Sequence, residues 1–468
     1  MSSRKKGFPA AWALAAACAL ALASVFPAGA QTPQKLDDPT APLREAARTA
    51  QRNDLLTLYR LALDNDPTYA AAKAQYLATI ERVPQARSAL LPNLNLLGRV
   101  NQYAYDIRPQ DFNNTFGDYG GGLSLNVPVY RPQNWEALEQ AKLQVLQGEN
   151  VLAQAQQDLA LRVARAYFAV LEARDQVTAL EVQKEATLQQ LAQAKREFEV
   201  GTKTIVDTNE AQARYDQIVA QLQVAVGDLL IRRSELSAIV GKDPEVLASL
   251  DDSPRLVLPQ PNEISNWVRS AEDANYRVQI ARAGNEIATR EIQRAKDGYK
   301  PTLDLVAGYN YNRFNGTNTS DSSFRTNTGN IGLQFNMPLY TGGLTQSRVR
   351  EAIALQDKSL SDLEFARRTA ANDARSAFTN VNYGLAQVQA LESAERSART
   401  QLESTQLGYR VGVRILLDVL NATTQLVGTQ RELKKARYNF LVNGLGLKAS
   451  VGALSEDDLR AVNSLLTQ

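Results

Sequence analysis

The chain repeats itself at a spacing of about 210 residues, and this duplication limits its possible folds more than any other feature. Ala89-Leu90-Leu91-Pro92-Asn93-Leu94-Asn95-Leu96 is echoed by Gly298-Tyr299-Lys300-Pro301-Thr302-Leu303-Asp304-Leu305. Leu123-Ser124-Leu125-Asn126-Val127-Pro128-Val129-Tyr130 returns as Leu333-Gln334-Phe335-Asn336-Met337-Pro338-Leu339-Tyr340. Phe198-Glu199-Val200-Gly201 with Ile205-Val206-Asp207 returns as Tyr409-Arg410-Val411-Gly412 with Ile415-Leu416-Leu417-Asp418. Three blocks in one order read as two copies of one unit. Each half reads helix, strand, loop, strand, very long helix, turn, returning helix. The first half takes residues 31–261 and the second 262–450, with a tail at 451–468 that carries no clear pattern.

The helices dominate. No proline occurs between Pro132 and Pro244, and none after Pro338. Leu159, Val163, Ala166, Val170, Ala173, Val177 and Leu180 keep the alternating four–three step of a heptad seam. Long helices are predicted over about 132–200 and 344–410, with returning helices over about 205–240 and 415–448. At 1.5 Å per residue the first would be about 100 Å long, far beyond an ordinary globular helix. Its seam is rich in alanine, which lets neighbouring helices approach closely.

The strands alternate. They are predicted over about 93–106, 119–130, 302–313 and 328–340. Leu123, Leu125, Val127 and Val129 oppose Ser124 and Asn126; Ile331, Leu333, Phe335, Met337 and Leu339 oppose Asn330, Gly332, Gln334 and Asn336. Leu303, Leu305, Ala307, Tyr309 and Tyr311 oppose Asp304, Gly308, Asn310 and Asn312. Polar loops are expected over Pro109–Gly117 and Asn315–Asn327. Four strands are too few to hide their own edges, and transmembrane barrels begin at eight. An apolar-out, polar-in pattern with Tyr130, Tyr309, Tyr311 and Tyr340 near strand ends suits a lipid-facing band, closed by pooling strands from several chains. A sandwich with one wet face is the competing reading.

Composition narrows the chemistry. The 468 residues contain no histidine and one cysteine, Cys18. Arg4, Lys5 and Lys6, the apolar run Ala10–Val25 and Ala28-Gly29-Ala30 have the layout of a secretory signal, residues 1–30, cleaved before Gln31. A lipoprotein acylated at Cys18 and an uncleaved anchor are the alternatives. Cleavage removes three bases and no acid, turning a formal charge of +2 into −1, which argues against nucleic acid as a partner. Without imidazole or thiol, the mature chain has no Ser-His-Asp or Cys-His catalysis and no usual zinc site. A carboxylate enzyme built on Asp207 and Asp418 would need a sugar-binding cleft with aromatics that the helical tip lacks. Trp135 and Trp267 read as packing residues near helix starts.

Gly201 and Gly412 read as glycines ending the long helices, with Asp207 and Asp418 starting the returning ones. Tyr409, Arg414, Asp418 and Asn421 crowd the second turn; Phe198, Lys203, Asp207 and Glu210 take the equivalent places in the first. Helix capping alone would account for the aspartates. An arginine opposite an aspartate across helix pairs could also hold the tip shut.

Tyr409-x-Val411-Gly412-Val413-Arg414-Ile415-x-x-Asp418-Val419-Leu420 resembles the periplasmic-tip motif of the TolC family of outer-membrane channel proteins. Ala436–Leu441 and Ala449–Leu454 resemble that family as well, and the duplicated layout matches it over nearly all of the mature chain. The resemblance implies a mainly α fold with a β-barrel part. It implies a homotrimer, with a twelve-stranded barrel in outer-membrane lipid on a periplasmic α-helical barrel. It also implies a passive exit duct for a tripartite efflux pump or a type I secretion system. Its partners would be a periplasmic adaptor and an inner-membrane pump or ABC transporter, with no reaction and no cofactor. By the same resemblance, Tyr409 and Arg414 match the residues that tether the inner helix pair, and Asp207 matches their partner. Asp418 matches one position of a lumen-facing acidic ring; Asn421 stands at the second, where the family pattern has aspartate, which halves the ring's charge. Adaptor binding falls on the turns at Gly201 and Gly412, and Arg196 is expected near the tip network. A pore-less periplasmic coiled-coil scaffold is the alternative.

Overall fold

The structure, a computed structural model, describes residues 53–107, 112–202, 204–244, 246–251, 254–316 and 322–466. The signal-like segment 1–30, the stretch that follows it to Arg52, and Lys203 lie outside the described residues. Among the described residues three short helices come first: α1 (Leu55–Asn65), α2 (Pro67–Ile80) and α3 (Arg82–Ser88). The strand pair β1 (Asn93–Ile107) and β2 (Phe112–Tyr130) leads into α4 (Pro132–Glu199) and the returning α5 (Ile205–Val240). Then α6 (Ile264–Ala274) and α7 (Tyr276–Lys296) precede β3 (Thr302–Phe314) and β4 (Phe324–Asn336). The chain closes with α8 (Leu344–Arg410), α9 (Leu416–Ser450) and α10 (Glu456–Asn463).

The sheet runs β1-β2-β3-β4, antiparallel throughout, so β1 and β4 each leave one edge unpaired within the chain. Register puts Leu94, Leu96, Val100, Leu123, Tyr309, Ile331, Leu333 and Phe335 on one face, and all are exposed. Ile331 is 77% accessible, a value no soluble core strand would show. The other face carries Asn95, Arg99, Asp118, Ser124, Asn310, Asn312, Asn330 and Gln334. There Arg99 pairs with the buried Asp118 at 3.1 Å and donates to Asn312 Oδ1 at 3.1 Å. A Cβ at Gly120 or Gly122 would land on the amide oxygens of Asn312 and Asn310, so these glycines leave room for the polar side chains of β3.

Two strand boundaries differ from the sequence expectation. β2 begins at Phe112, inside the expected loop, because Asn, Gly and Thr on a wet face carry the ladder as readily as a turn. β4 runs Phe324–Asn336, earlier at both ends than 328–340. Pro338 has no N–H to donate, so Met337, Leu339 and Tyr340 fall outside the strand, exposed. Tyr309 and Tyr311 lie within β3 rather than at its end.

Below the sheet, Arg131 at the start of α4 grips the buried Asp304 of β3 with two hydrogen bonds, Nε at 2.7 Å and Nη2 at 2.6 Å. Of the heptad seam of α4, Leu159, Val163, Val170, Ala173 and Leu180 are buried, while Ala166 and Val177 are half-buried. α7 packs against both α4 and α8, and α1 to α3 lie along α4. The tail, which carries no clear pattern in the sequence, is structured as far as Leu466. Ser455 and Asp458 form a capping box, α10 buries Leu459 and Val462, and Leu466 bridges to Leu250. Trp267 is buried and donates Nε1–H to Pro261 O at 2.7 Å, whereas Trp135, expected to pack, is 56% exposed.

Candidate functional site

Both long helices end in the same way. Gly201 and Gly412 have φ of +69° and +81°, which glycine adopts without strain, and a Cβ at either would point into open space. Gly201 N–H donates to Phe198 O at 2.9 Å and Thr202 N–H to Glu197 O at 2.9 Å. Gly412 N–H donates to Tyr409 O at 3.1 Å and Val413 N–H to Gly408 O at 2.9 Å. These are αL helix stops. They leave Val200, Val206, Val411, Val413 and Ile415 exposed, an apolar belt around the two turns.

Of the residues singled out in the sequence, the two aspartates serve their own turns. Asp207 Oδ2 accepts from Thr204 Oγ1 at 2.9 Å and from Thr204 N–H at 3.2 Å. Asp418 Oδ2 accepts from Ile415 N–H at 3.4 Å and sits 3.7 Å from Nη1 of Arg414, in the turn just before α9. The stem of Arg414 folds over Gly408, where a Cβ would meet its Cγ at 2.8 Å. Arg196 bonds back to Ala192 O at 3.3 Å. Asn421 Oδ1 accepts from Arg214 Nη2 of α5 at 3.1 Å, which ties α9 to the first helix pair.

Tyr409 does reach across, and its acceptor is Glu197. The Tyr409 hydroxyl donates to Glu197 Oε2 at 2.8 Å, while Gln193 donates to Glu197 Oε1 at 2.7 Å and fixes the carboxylate one turn from the helix end. The ring of Tyr409 packs on a small core of Leu191, Ala194, Ala211, Leu416 and Leu420, drawn from α4, α5 and α9. Burial pushes the phenol well above its ordinary range, and the bond to Glu197 and the charges of Glu197 and Asp207 push it further the same way. The hydroxyl is therefore a donor at any physiological pH. Glu197 had one sequence signal. A carboxylate in the last turn of a helix opposes the helix dipole, so its presence there asks for a partner elsewhere. Among the described residues no cluster of carboxylates is placed to hold a metal ion, and no helix is long and apolar enough to cross a membrane.

The profile of the outer membrane efflux protein family matches the chain twice, over residues 58–242 and 267–453. The chain is 34% identical over 417 residues to the outer membrane protein TolC of Vibrio cholerae, covering 88% of this chain and 93% of that one. It is 30% identical over 416 residues to the alkaline protease secretion protein AprF of Pseudomonas aeruginosa, covering 87% and 86%. In fold it is similar to the Campylobacter jejuni CmeC outer membrane channel, with a TM-score of 0.75 at 16% identity over 88% of this chain and 89% of that one.

Proposed function

Because the chain belongs to the outer membrane efflux protein family, we propose that three copies pool their four-stranded sheets into one twelve-stranded barrel with the helix pairs forming a tunnel beneath it. The protein is an outer-membrane channel with a large periplasmic helical part, a conduit and not an enzyme. The observation that carries the trimeric reading is the sheet. One face is apolar and exposed, the other polar, and both edge strands are unpaired, so lipid outside, water inside and neighbouring copies at the edges satisfy all three.

The gate lies at the tip. Tyr409 and Arg414 hold the α8–α9 pair inward, with Glu197 as the acceptor within the protomer and Asp207 close enough to act on the same phenol. Asp418 supplies the acidic ring of the lumen, and Asn421 beside Arg214 leaves its second position uncharged. The apolar belt at Gly201 and Gly412 is the docking surface for a periplasmic adaptor, which couples the duct to an inner-membrane pump. The relatives are named for protease secretion and for efflux, so the cargo belongs to one of these two classes. The two repeats, 31–261 and 262–450, each contribute two strands and one helix pair to this plan.

The experiment is single-channel conductance in a planar bilayer, wild type against Tyr409→Phe/Arg414→Ser. A small wild-type conductance that rises severalfold supports the gated duct. Equal conductances retain the channel and remove the gate. No conductance from protein shown to be folded and inserted returns the pore-less scaffold.

A further inference from the structure

The buried apolar side chains divide by helix pair along the lower tunnel. Near the middle of α4 a single core takes in all four long helices, with Leu159, Tyr167, Leu171, Leu236, Val381 and Leu441 among its members. Toward the tip it splits. Leu180, Ile218, Leu222 and Ala225 join α4 to α5, while Val388, Leu433 and Ala436 join α8 to α9 with Leu256 packed against them. In this reach polar contacts tie the pairs: Gln183 Nε2 donates to Thr424 Oγ1 at 3.3 Å, and Arg214 to Asn421 at 3.1 Å. Only at the tip do α4, α5 and α9 share an apolar core again, under Tyr409.

The upper limit of the split is a built anchor. Tyr438 of α9, 4% exposed, donates to Asp175 Oδ2 of α4 at 2.5 Å, and Lys434 pairs with Asp175 Oδ1 at 3.3 Å. Lys435 pairs with Glu172 at 2.9 Å at the same level. The ring of Tyr438 lies 5.5 Å from that of Phe168, which meets Tyr167 edge-on. A strap fixes this level of α4: Tyr167 donates to Ala248 O at 2.8 Å, and Arg174 to Leu247 O at 3.0 Å and Ser249 Oγ at 2.8 Å.

We propose that Tyr438 and Asp175 are the pivot about which the α8–α9 pair swings against the α4–α5 pair when the tip opens. The proposal rests on the gate reading and assigns it positioning residues far from the tip. Water exchanges readily for amide and hydroxyl partners, so the polar reach separates at little cost, whereas apolar seams keep each pair rigid. From Asp175 to Glu197 the helix forms a lever of about 33 Å, so a tilt of about 10° carries the tip about 6 Å, beyond hydrogen-bond range of Tyr409.

The test bridges the two pairs at two heights in the full-length chain carrying Cys18→Ser, Tyr409→Phe and Arg414→Ser. One cysteine pair replaces Glu172 and Lys435, half-exposed beside the anchor and leaving Tyr438 and Asp175 intact; the other replaces Gln183 and Thr424. Each pair is joined by a short bis-methanethiosulfonate reagent, each cysteine thiolate displacing methanesulfinate to form a reducible disulfide, and single-channel conductance is read before joining, after it, and after reduction. The lower bridge is expected to return the raised conductance to the small wild-type value, and reduction to restore it. The upper bridge is expected to leave the raised conductance unchanged. An upper bridge that closes the channel equally, or a lower bridge without effect, overturns the pivot while the gate stands. No rise in the unbridged variant overturns the gate reading, and the pivot with it. In the same background Tyr438→Phe keeps the ring and removes the hydroxyl. It is expected to break the single raised level into several, and an unchanged level takes the role away from the hydroxyl.

Discussion

Glu197→Gln and Tyr409→Phe cut the same contact to different depths, and the difference can be worked from the geometry. Tyr409 donates to Glu197 Oε2 at 2.8 Å while Gln193 holds the other oxygen. A hydrogen bond to a charged group contributes about 1.5–3 kcal/mol and a neutral one about 1, and both residues are half-buried, so solvent reduces these figures. Losing the hydroxyl then costs about 1 kcal/mol per protomer, and losing only the charge about 0.6. If three tips open together, Tyr409→Phe removes about 3 kcal/mol and Glu197→Gln about 2. For a resting closed:open ratio of 99:1, which is about 2.7 kcal/mol, Tyr409→Phe would bring the channel to about half open and Glu197→Gln to about one-fifth. Open occupancy in bilayer recordings should therefore rise from wild type to Glu197→Gln to Tyr409→Phe. Asp207→Asn, which touches the cap of its own helix, should stay near wild type. A silent Glu197→Gln with a fully opening Asp207→Asn would refute the assignment of the acceptor.

Three further outcomes follow from the same contacts. Burial and the Asp175 carboxylate raise the Tyr438 phenol above its ordinary value of 10.0. Its contribution to folding is thus complete below pH 10 and is lost only as pH climbs through the higher folded value, so the late-titrating part of the tyrosinate absorbance, which Tyr409 and Tyr167 share, should shrink by one tyrosine in Tyr438→Phe. Asp66, the 2%-exposed N-cap of α2, is pushed up by burial but pulled further down by Arg162, Thr68 and the Tyr69 N–H, for a net lowering. Its stabilisation is present above the ordinary carboxylate range and disappears as pH falls through the lowered value. Arg162→Gln should cost about 2 kcal/mol, reduced from a fully buried pair because Arg162 is partly exposed, and lower the melting temperature at pH 7 more than at pH 3. Asn421→Asp would add a second carboxylate beside Asp418 and pair it with Arg214. Block of the conductance by a trivalent cation should tighten by about tenfold, and an unchanged block would place position 421 away from the lumen.

Periodicity made the helices and most strand faces legible, because the buried side of α4 and the exposed apolar side of β4 both carry a regular apolar step in the sequence. The same logic hid the strand ends. Wherever a strand faces water on one side and the chain is rich in Asn, Gly and Thr, composition reads as loop, and only the cross-strand ladder from Ile107↔Phe112 onward shows that pairing continues. The tail failed differently. Ser455 and Asp458 spell a capping box, and Leu459, Val462 and Leu466 are its buried face, but eight residues are too few for periodicity to stand out. The tip shows the deeper limit. Asp207, matched by resemblance to a tether partner, has the hydrogen bonds of a cap, while Glu197, not singled out in the sequence, accepts from Tyr409. A side chain committed to its own turn and one reaching 212 positions along the chain have the same local spelling. What separates them is whether the local backbone already satisfies the charge. Asp207 meets an N–H at its helix start, and Glu197, at a helix end where only carbonyls face it, must look outward for a donor. That asymmetry between the two ends of a helix turn makes the long-range tie a consequence of where α4 stops, and it predicts that shifting the stop by one residue would uncouple Tyr409 while leaving both caps intact.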